Sequence, residues 1–298
     1  MALRKLMARA LVRTLVRRDL LPSRPLATRR RAVDRAARLL RLPRGVRSVP
    51  ASGILARSEW LLPAGAAAPD SGPAIFYLHG GGFVLGSPRS HRGVAAHLAA
   101  ACDRPVLLLD YPLAPEQAFP AAPDAVLGAW QHVTDGGARP LAVAGDSAGG
   151  WLALRLALQA NAMGLPAPTA MALFSPLLDL GRASVSTAHD LMLPPGSVAE
   201  GIRAFAGGLP PGDPCLDLLG QSLSALPPLF IAYAVDEMLA ADSRRLAEAA
   251  AVAGVRVRVA AEQGLWHAWP LLAGLLPEAT ATVRQAAAVL APRQGPGS

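Results

Sequence analysis

Gly145-Asp146-Ser147-Ala148-Gly149-Gly150 lies between an apolar run that ends at Ala144 and an apolar helical stretch that opens at Trp151. A serine on a sharp strand-to-helix turn is held in a strained backbone conformation, with its hydroxyl raised clear of the chain. Gly145 and Gly149 supply the clearance such a turn needs. The helix behind Ser147 offers its positive end to developing negative charge. The chemistry this suits is attack by Ser147 on a carbonyl carbon. Upstream, His79-Gly80-Gly81-Gly82-Phe83 follows another apolar run. Glycines there let backbone N–H groups converge on one point. Gly80 and Gly81, joined by the amide of Ala148, are the expected donors to an oxyanion.

A serine nucleophile needs a base, and the base needs an orienting acid. Six histidines are present. His79 belongs to the glycine loop, and His91, His97, His132 and His189 fall in or beside helical or excursion segments, away from strand ends. His267 follows the run 255–260 and precedes the last helix, after both the serine and the candidate acids in chain order. It is the expected base. The run 229–235 delivers Asp236 and Glu237 together. If the strand continued they would point to opposite sides, so only one of them faces His267.

These residues must be placed by the elements between them. Runs at 74–78, 105–110, 141–145, 170–174, 229–234 and 255–259 read as strands. Several are apolar without alternation, as in parallel strands covered on both faces. Helical stretches separate them near 89–101, 123–134, 148–163, 242–253 and 271–290. Strand and helix in alternation predict an α/β domain with a mainly parallel sheet flanked by helices. An earlier alternating stretch, 53–62, is expected to pair antiparallel at one edge. Residues 177–226 break the rhythm: they are rich in Pro and Gly, with 199–206 as their one helical stretch, and read as a cap insertion over the strand ends. The expected division is cap helices over 1–53, a core of 54–176 and 227–291, a cap insertion over 177–226, and a flexible tail at 292–298.

Charge is distributed unevenly. The first 50 residues hold 15 of the 29 Lys and Arg but, of the 21 acidic residues, only Asp19 and Asp34, so the body of the chain is net negative. No helix-turn-helix, zinc or RNP-like pattern accompanies the basic end and aromatics make up 5%, which argues against a nucleic-acid partner. Leu3, Leu6, Met7, Ala10, Thr14 and Leu15 recur at helical spacing until Pro22, and Val33, Ala36, Ala37 and Leu40 until Pro43. Two basic amphipathic helices follow. Packing over the body as part of a lid is the expected role; contact with an anionic membrane surface is the sharper alternative. Arginines at 9, 13, 17 and 18 interrupt any secretory signal, and no apolar run is long enough to span a membrane. Cys102 and Cys215 fit neither a disulfide framework nor a metal-ligand spacing, and a cytoplasmic location is expected.

Taken together, the motifs resemble the hormone-sensitive-lipase family of bacterial esterases. The resemblance rests on His79–Phe83, on Asp110-Tyr111-Pro112-Leu113-Ala114-Pro115-Glu116 with Phe119-Pro120, on Gly145–Gly150, and on Pro227-Pro228 with the stretch 236–246. It covers roughly residues 54–291. It implies an α/β-hydrolase core, a cap built from the N-terminal segment and the 177–226 insertion, no cofactor or metal, and activity on short- to medium-chain acyl esters by a monomer or homodimer. In relatives the acid precedes the histidine by about thirty residues and has Leu two positions later. Glu237, with Leu239, fits better than Asp236, which remains the alternative. An amidase or deacetylase using the same serine is a rival activity. A small-ligand receptor of this fold, lacking the histidine, is the rival without catalysis. The chain departs from relatives at Cys215-Leu216-Asp217, where many carry Ser-Pro, and in a cap rich in arginine and poor in aromatics.

Overall fold

The computed structural model describes residues 2–66, 69, 72–135, 141–181, 190–210 and 212–291. The expected tail 292–298 lies outside them, as do His189 and the rest of 182–189 within the expected cap insertion. Strands β1 (Arg47–Pro50), β2 (Glu59–Leu62), β3 (Ala74–Leu78), β4 (Val106–Leu109), β5 (Leu141–Asp146), β6 (Met171–Phe174), β7 (Leu229–Ala234) and β8 (Val257–Glu262) form one sheet. Their order is β1-β2-β4-β3-β5-β6-β7-β8. β1 and β2 run antiparallel to their neighbours, and every other pairing is parallel. Residues of β3, β5, β6 and β7 are buried along their whole length, which is why these segments are apolar without alternation.

At one edge the structure departs from expectation. The stretch 53–62 is not one strand: a 3₁₀ turn at Gly53–Leu55 leads into β2, and the pairing partner is β1, ahead of residue 54. The sheet therefore begins at Arg47, inside the segment assigned to the cap. β1 reads Arg-Ser-Val-Pro and is largely exposed, so it lacks the period-2 apolar pattern that marks a strand. Proline and charge are tolerated there because an outer strand has one unpaired side.

Helices α1 (Ala2–Leu11, continued by a π turn at Val12–Val16 and by Arg17–Asp19), α2 (Leu26–Ala37), α3 (Pro88–Cys102), α4 (Ala121–Thr134), α5 (Ala148–Ala162), α6 (Ser197–Ala206), α7 (Ala240–Val252) and α8 (Pro277–Leu290) complete the described elements. α4, α5 and α7 share one apolar core with Phe76, Val143 and Ile231 of the sheet. α3 and α8 share the other with Ile75, Ala142 and Phe230. Successive strand residues thus feed opposite layers, as the pleat requires.

α1, α2 and α6 roof the ends of the strands, and arginines hold the roof down. Arg9 donates to the Gly264 carbonyl, Arg17 to the Asp190 and Leu193 carbonyls, and Arg29 to Glu200 on α6. Arg30 grips Glu116 with both guanidinium ends at 2.8 Å and also donates to the carbonyls of Val84 and Ala114. That fork holds the Glu116 carboxyl down at about 2. Four of the fifteen basic residues in the first 50 therefore act as clasps.

Candidate active site

Ser147 sits between β5 and α5 with φ 51° and ψ −120°, a conformation disfavoured for any residue with a side chain. The strain, about 1–3 kcal/mol, is sustained by close backbone packing. A Cβ at Gly145 would lie 2.5 Å from the Gly149 carbonyl oxygen, and one at Gly149 would overlap the carbonyls of Leu78 and His79. The Ser147 amide donates to the Phe174 carbonyl at 2.9 Å, tying the turn to β6.

His267, in the turn after β8, is buried, as is Glu237 after β7. Nδ1 of His267 lies 3.8 Å from Oε1 of Glu237, and neither atom has a hydrogen-bond partner among the described residues. Asp236, by contrast, is exposed. Of the two adjacent carboxylates, the fold thus brings Glu237 to the histidine and leaves Asp236 outside. Burial is the largest influence on His267 and opposes its charged form. Glu237, assisted by Asp190 and Asp146, outweighs it and raises the pKa above the ordinary histidine value.

The remaining oxygen of Glu237 is positioned by a residue that sequence reasoning missed. Ser175 Oγ donates to Glu237 Oε2 at 2.8 Å and accepts the Ala268 amide at 3.0 Å. One hydroxyl therefore spans the acid and the residue that follows the histidine. Ser175 is fully buried, with φ 49°, directly after β6. Its place at the C-terminal end of a parallel strand was the available signal, since ligands of open α/β sheets bind there.

The glycine loop also differs from expectation. The Gly80 amide donates to Asp146 Oδ1 at 3.1 Å and is engaged within the protein. Gly81 and Gly82, with φ 121° and 60°, line the cavity together with Ser147 and His267. Among the described residues no hydrogen bond occupies the amides of Gly81, Gly82 or Ala148. The unoccupied loop amides on the cavity are thus those of Gly81 and Gly82.

Asp146, beside Ser147, anchors this loop. It accepts from Tyr77 at 2.8 Å as well as from Gly80, and its other oxygen meets His91 Nε2 at 3.2 Å. Burial alone would raise its pKa, but His91 and Tyr77 more than offset that, and the carboxyl is held below its ordinary value. His79 stacks on Tyr111 with ring centres 4.2 Å apart, and the Tyr111 hydroxyl donates to the His79 carbonyl at 2.5 Å. Burial and repulsion from His91 push His79 down to about 3, so it is neutral at ordinary pH. Phe83, at the end of the loop, stacks on Phe205 of α6 at 3.8 Å. His91, set aside in the sequence as a helical residue, is therefore a partner of the elbow, and Tyr111 shows why the 110–116 motif accompanies the glycines.

The cavity over Ser147 is walled by α1, α2, α6 and the loop before α8, with Leu11, Val12, Ala32, Val33, Val198 and Leu272 among its apolar lining. Arg29, paired with Glu200, is a buried charge within it.

Comparison with known proteins places this architecture. A model of the alpha/beta hydrolase fold family matches residues 75–271. An esterase of Acinetobacter venetianus is 35% identical over 212 residues, covering 69% of this chain and 70% of that protein. Esterase LipU of Mycobacterium tuberculosis is 33% identical over 271 residues, 85% of this chain and 89% of the relative. The crystal structure of an esterase from the bacterial hormone-sensitive lipase family superposes with a TM-score of 0.84 at 29% identity, covering 94% of this chain and 95% of that one. On these likenesses the chain belongs to the α/β-hydrolase family, among the esterases of the hormone-sensitive-lipase type.

Proposed function

We propose that the protein hydrolyses carboxylic esters of short- to medium-chain acyl groups through an acyl-enzyme formed on Ser147. The observation that carries this reading is the convergence of Ser147, His267 and the free amides of Gly81 and Gly82 on one apolar cavity. His267 takes the proton of Ser147 as its oxygen attacks the ester carbonyl, and Glu237 stabilises the imidazolium that forms. The amides of Gly81, Gly82 and Ala148 receive the charge that develops on the carbonyl oxygen. The alcohol leaves with the proton from His267. Water, deprotonated by the same histidine, then releases the acid. The apolar walls accommodate the hydrocarbon part of the substrate and keep the reacting centre dry, which strengthens each electrostatic contact within it.

Ser147→Ala is expected to remove turnover of p-nitrophenyl butyrate while leaving the circular-dichroism spectrum and unfolding temperature near those of the parent. A variant that hydrolysed this ester at the parental rate would refute the assignment. A chain-length series of p-nitrophenyl esters tests the acyl range, with turnover expected to fall for long chains.

A further inference from the structure

Large apolar side chains left in water are ordinary when scattered and informative when gathered. Here Leu15, Leu39 and Leu275 are 51%, 70% and 46% exposed, and all three also line the cavity over Ser147. They form its rim. Met7, 63% exposed, extends the rim along α1: Met7, Leu11 and Leu15 are spaced four residues apart, and Leu11 and Leu15 face the same cavity.

The exposed charges next to Met7, Leu15 and Leu39 in the sequence are basic, while Glu278, half-buried, lies three residues after Leu275. Arg4 lies three residues before Met7 and Arg18 three after Leu15, and both are exposed. Arg35, one helical turn before Leu39, is exposed too, as are Arg38 and Arg41 on either side of that leucine. The arginines that clasp the body, Arg9, Arg17, Arg29 and Arg30, are a different set. The two acids of the first 50 residues are both engaged, Asp19 with Arg24 and Asp34 with Ser87. Among the described residues none of these five guanidinium groups is paired with a carboxylate, and they flank in sequence the exposed apolar residues at the mouth of the cavity over Ser147.

We propose that this rim docks on an anionic lipid surface, with Met7, Leu15, Leu39 and Leu275 entering the acyl boundary and the surrounding arginines meeting the headgroups. An arginine surface alone would suit any polyanion. Exposed leucines gain nothing from a phosphate backbone, whereas a helix with apolar and basic faces lies stably in a bilayer interface. Among the described residues no helix is long and apolar enough to cross a membrane. Docking in this orientation turns the cavity mouth toward the lipid, so an ester dissolved there reaches Ser147 through apolar surroundings. That last step rests on the esterase reading; the docking itself does not.

Sedimentation of the full chain with phosphatidylcholine vesicles, with and without phosphatidylglycerol, tests the proposal. Binding is expected to the anionic vesicles and to weaken in high salt. Arg4→Gln and Arg18→Gln should each lower the apparent affinity roughly fivefold, and Met7→Ser should lower it further. All three should leave turnover of dissolved p-nitrophenyl acetate unchanged and slow turnover of an ester carried in the anionic vesicles. Equal binding to both vesicle types, or no binding to either, overturns the docking surface. So does affinity for duplex DNA that matches the vesicle affinity and is insensitive to Met7→Ser. The Ser147→Ala variant should still sediment with vesicles. If it does while the parent leaves p-nitrophenyl acetate intact, the esterase reading fails and the docking surface stands.

Discussion

The floor and the roof of the cavity are held by different physics. The floor, made by the ends of β3, β5, β6 and β7, is fixed by contact between backbones and by a buried polar network in which Asp146 satisfies Tyr77, Gly80 and His91. The roof, made by α1, α2 and α6, is tied down by arginine side chains reaching carbonyls and carboxylates some distance away in the chain. Backbone packing tolerates almost no displacement, since interiors are as dense as organic crystals. Long side chains reaching over a surface allow more. A precise reacting centre under an adjustable lid is the arrangement this difference produces, and perturbing each part should separate them.

The floor should fail most abruptly. A methyl group at position 149 would overlap the carbonyl oxygens of Leu78 and His79, which belong to strand and loop backbone and have nowhere to go. Gly149→Ala is therefore expected to cost more than about 3 kcal/mol, read as a large drop in unfolding temperature or loss of soluble protein. A variant that melts with the parent would show that the elbow is looser than its geometry requires.

Glu237→Gln is expected to leave the fold intact and removes the carboxylate charge 3.8 Å from His267. By comparison with other triads, turnover should fall by about 10³–10⁴. Asp236→Asn, at the exposed neighbour, should change it by less than about twofold, within the usual range for surface sites. The pH profile gives a second readout. Glu237 raises the His267 pKa, and a base must be neutral to accept the proton of Ser147. Activity in the parent should therefore rise with pH through that raised pKa. In Glu237→Gln the residual activity should begin at lower pH, because the neutral amide no longer favours the imidazolium. An acid limb that moved upward would contradict the pairing.

Much of the floor was legible in the sequence and little of the roof. Gly145–Gly150 and His79–Phe83 are short local patterns whose glycines answer to sterics within the motif itself. His267 was chosen by chain order and Glu237 by its spacing from it, and the fold brings the two side chains to 3.8 Å. Nothing local in the sequence shows that the Gly80 amide is engaged by Asp146, a contact across 66 residues. β1 escaped because an exposed edge strand carries no apolar period. The arginine clasps escaped for a similar reason: a basic run reads as one cluster, and nothing in it distinguishes Arg30, bound to Glu116, from Arg31, which is exposed.

Ser175 lies between the two regimes, being a side chain that acts with the precision of the floor. Its hydroxyl holds Glu237 Oε2 and the Ala268 amide at once, so Ser175→Ala frees both the acid and the segment next to the base. A displacement of the order of 1 Å at a catalytic group costs about 10² in rate. The loss should appear in kcat, with KM little changed, because Ser175 is not among the residues lining the cavity. Ser175→Thr, which keeps the hydroxyl, should recover part of it if the extra methyl is accommodated. A rise in KM at constant kcat would instead make Ser175 a packing residue.

The smallest effect on chemistry is expected from the roof. Arg29 is 2% exposed and donates to Glu200 at 2.8 Å across the α2–α6 contact. Arg29→Met keeps most of the apolar stem and removes the ion pair, leaving Glu200, whose side chain is one-third exposed, free to turn toward water. A stability loss of about 1–3 kcal/mol is expected, the usual range for a charged hydrogen bond. It should be local: amide hydrogen exchange should quicken across Leu26–Ala37 while that of β5 and β6 stays at the parental rate. Turnover of p-nitrophenyl acetate should move by no more than a few fold, since the serine, its base and the loop amides rest on the floor. If exchange quickened in β5 as well, roof and floor would form one cooperative unit, and the tolerance attributed to the arginine clasps would be absent.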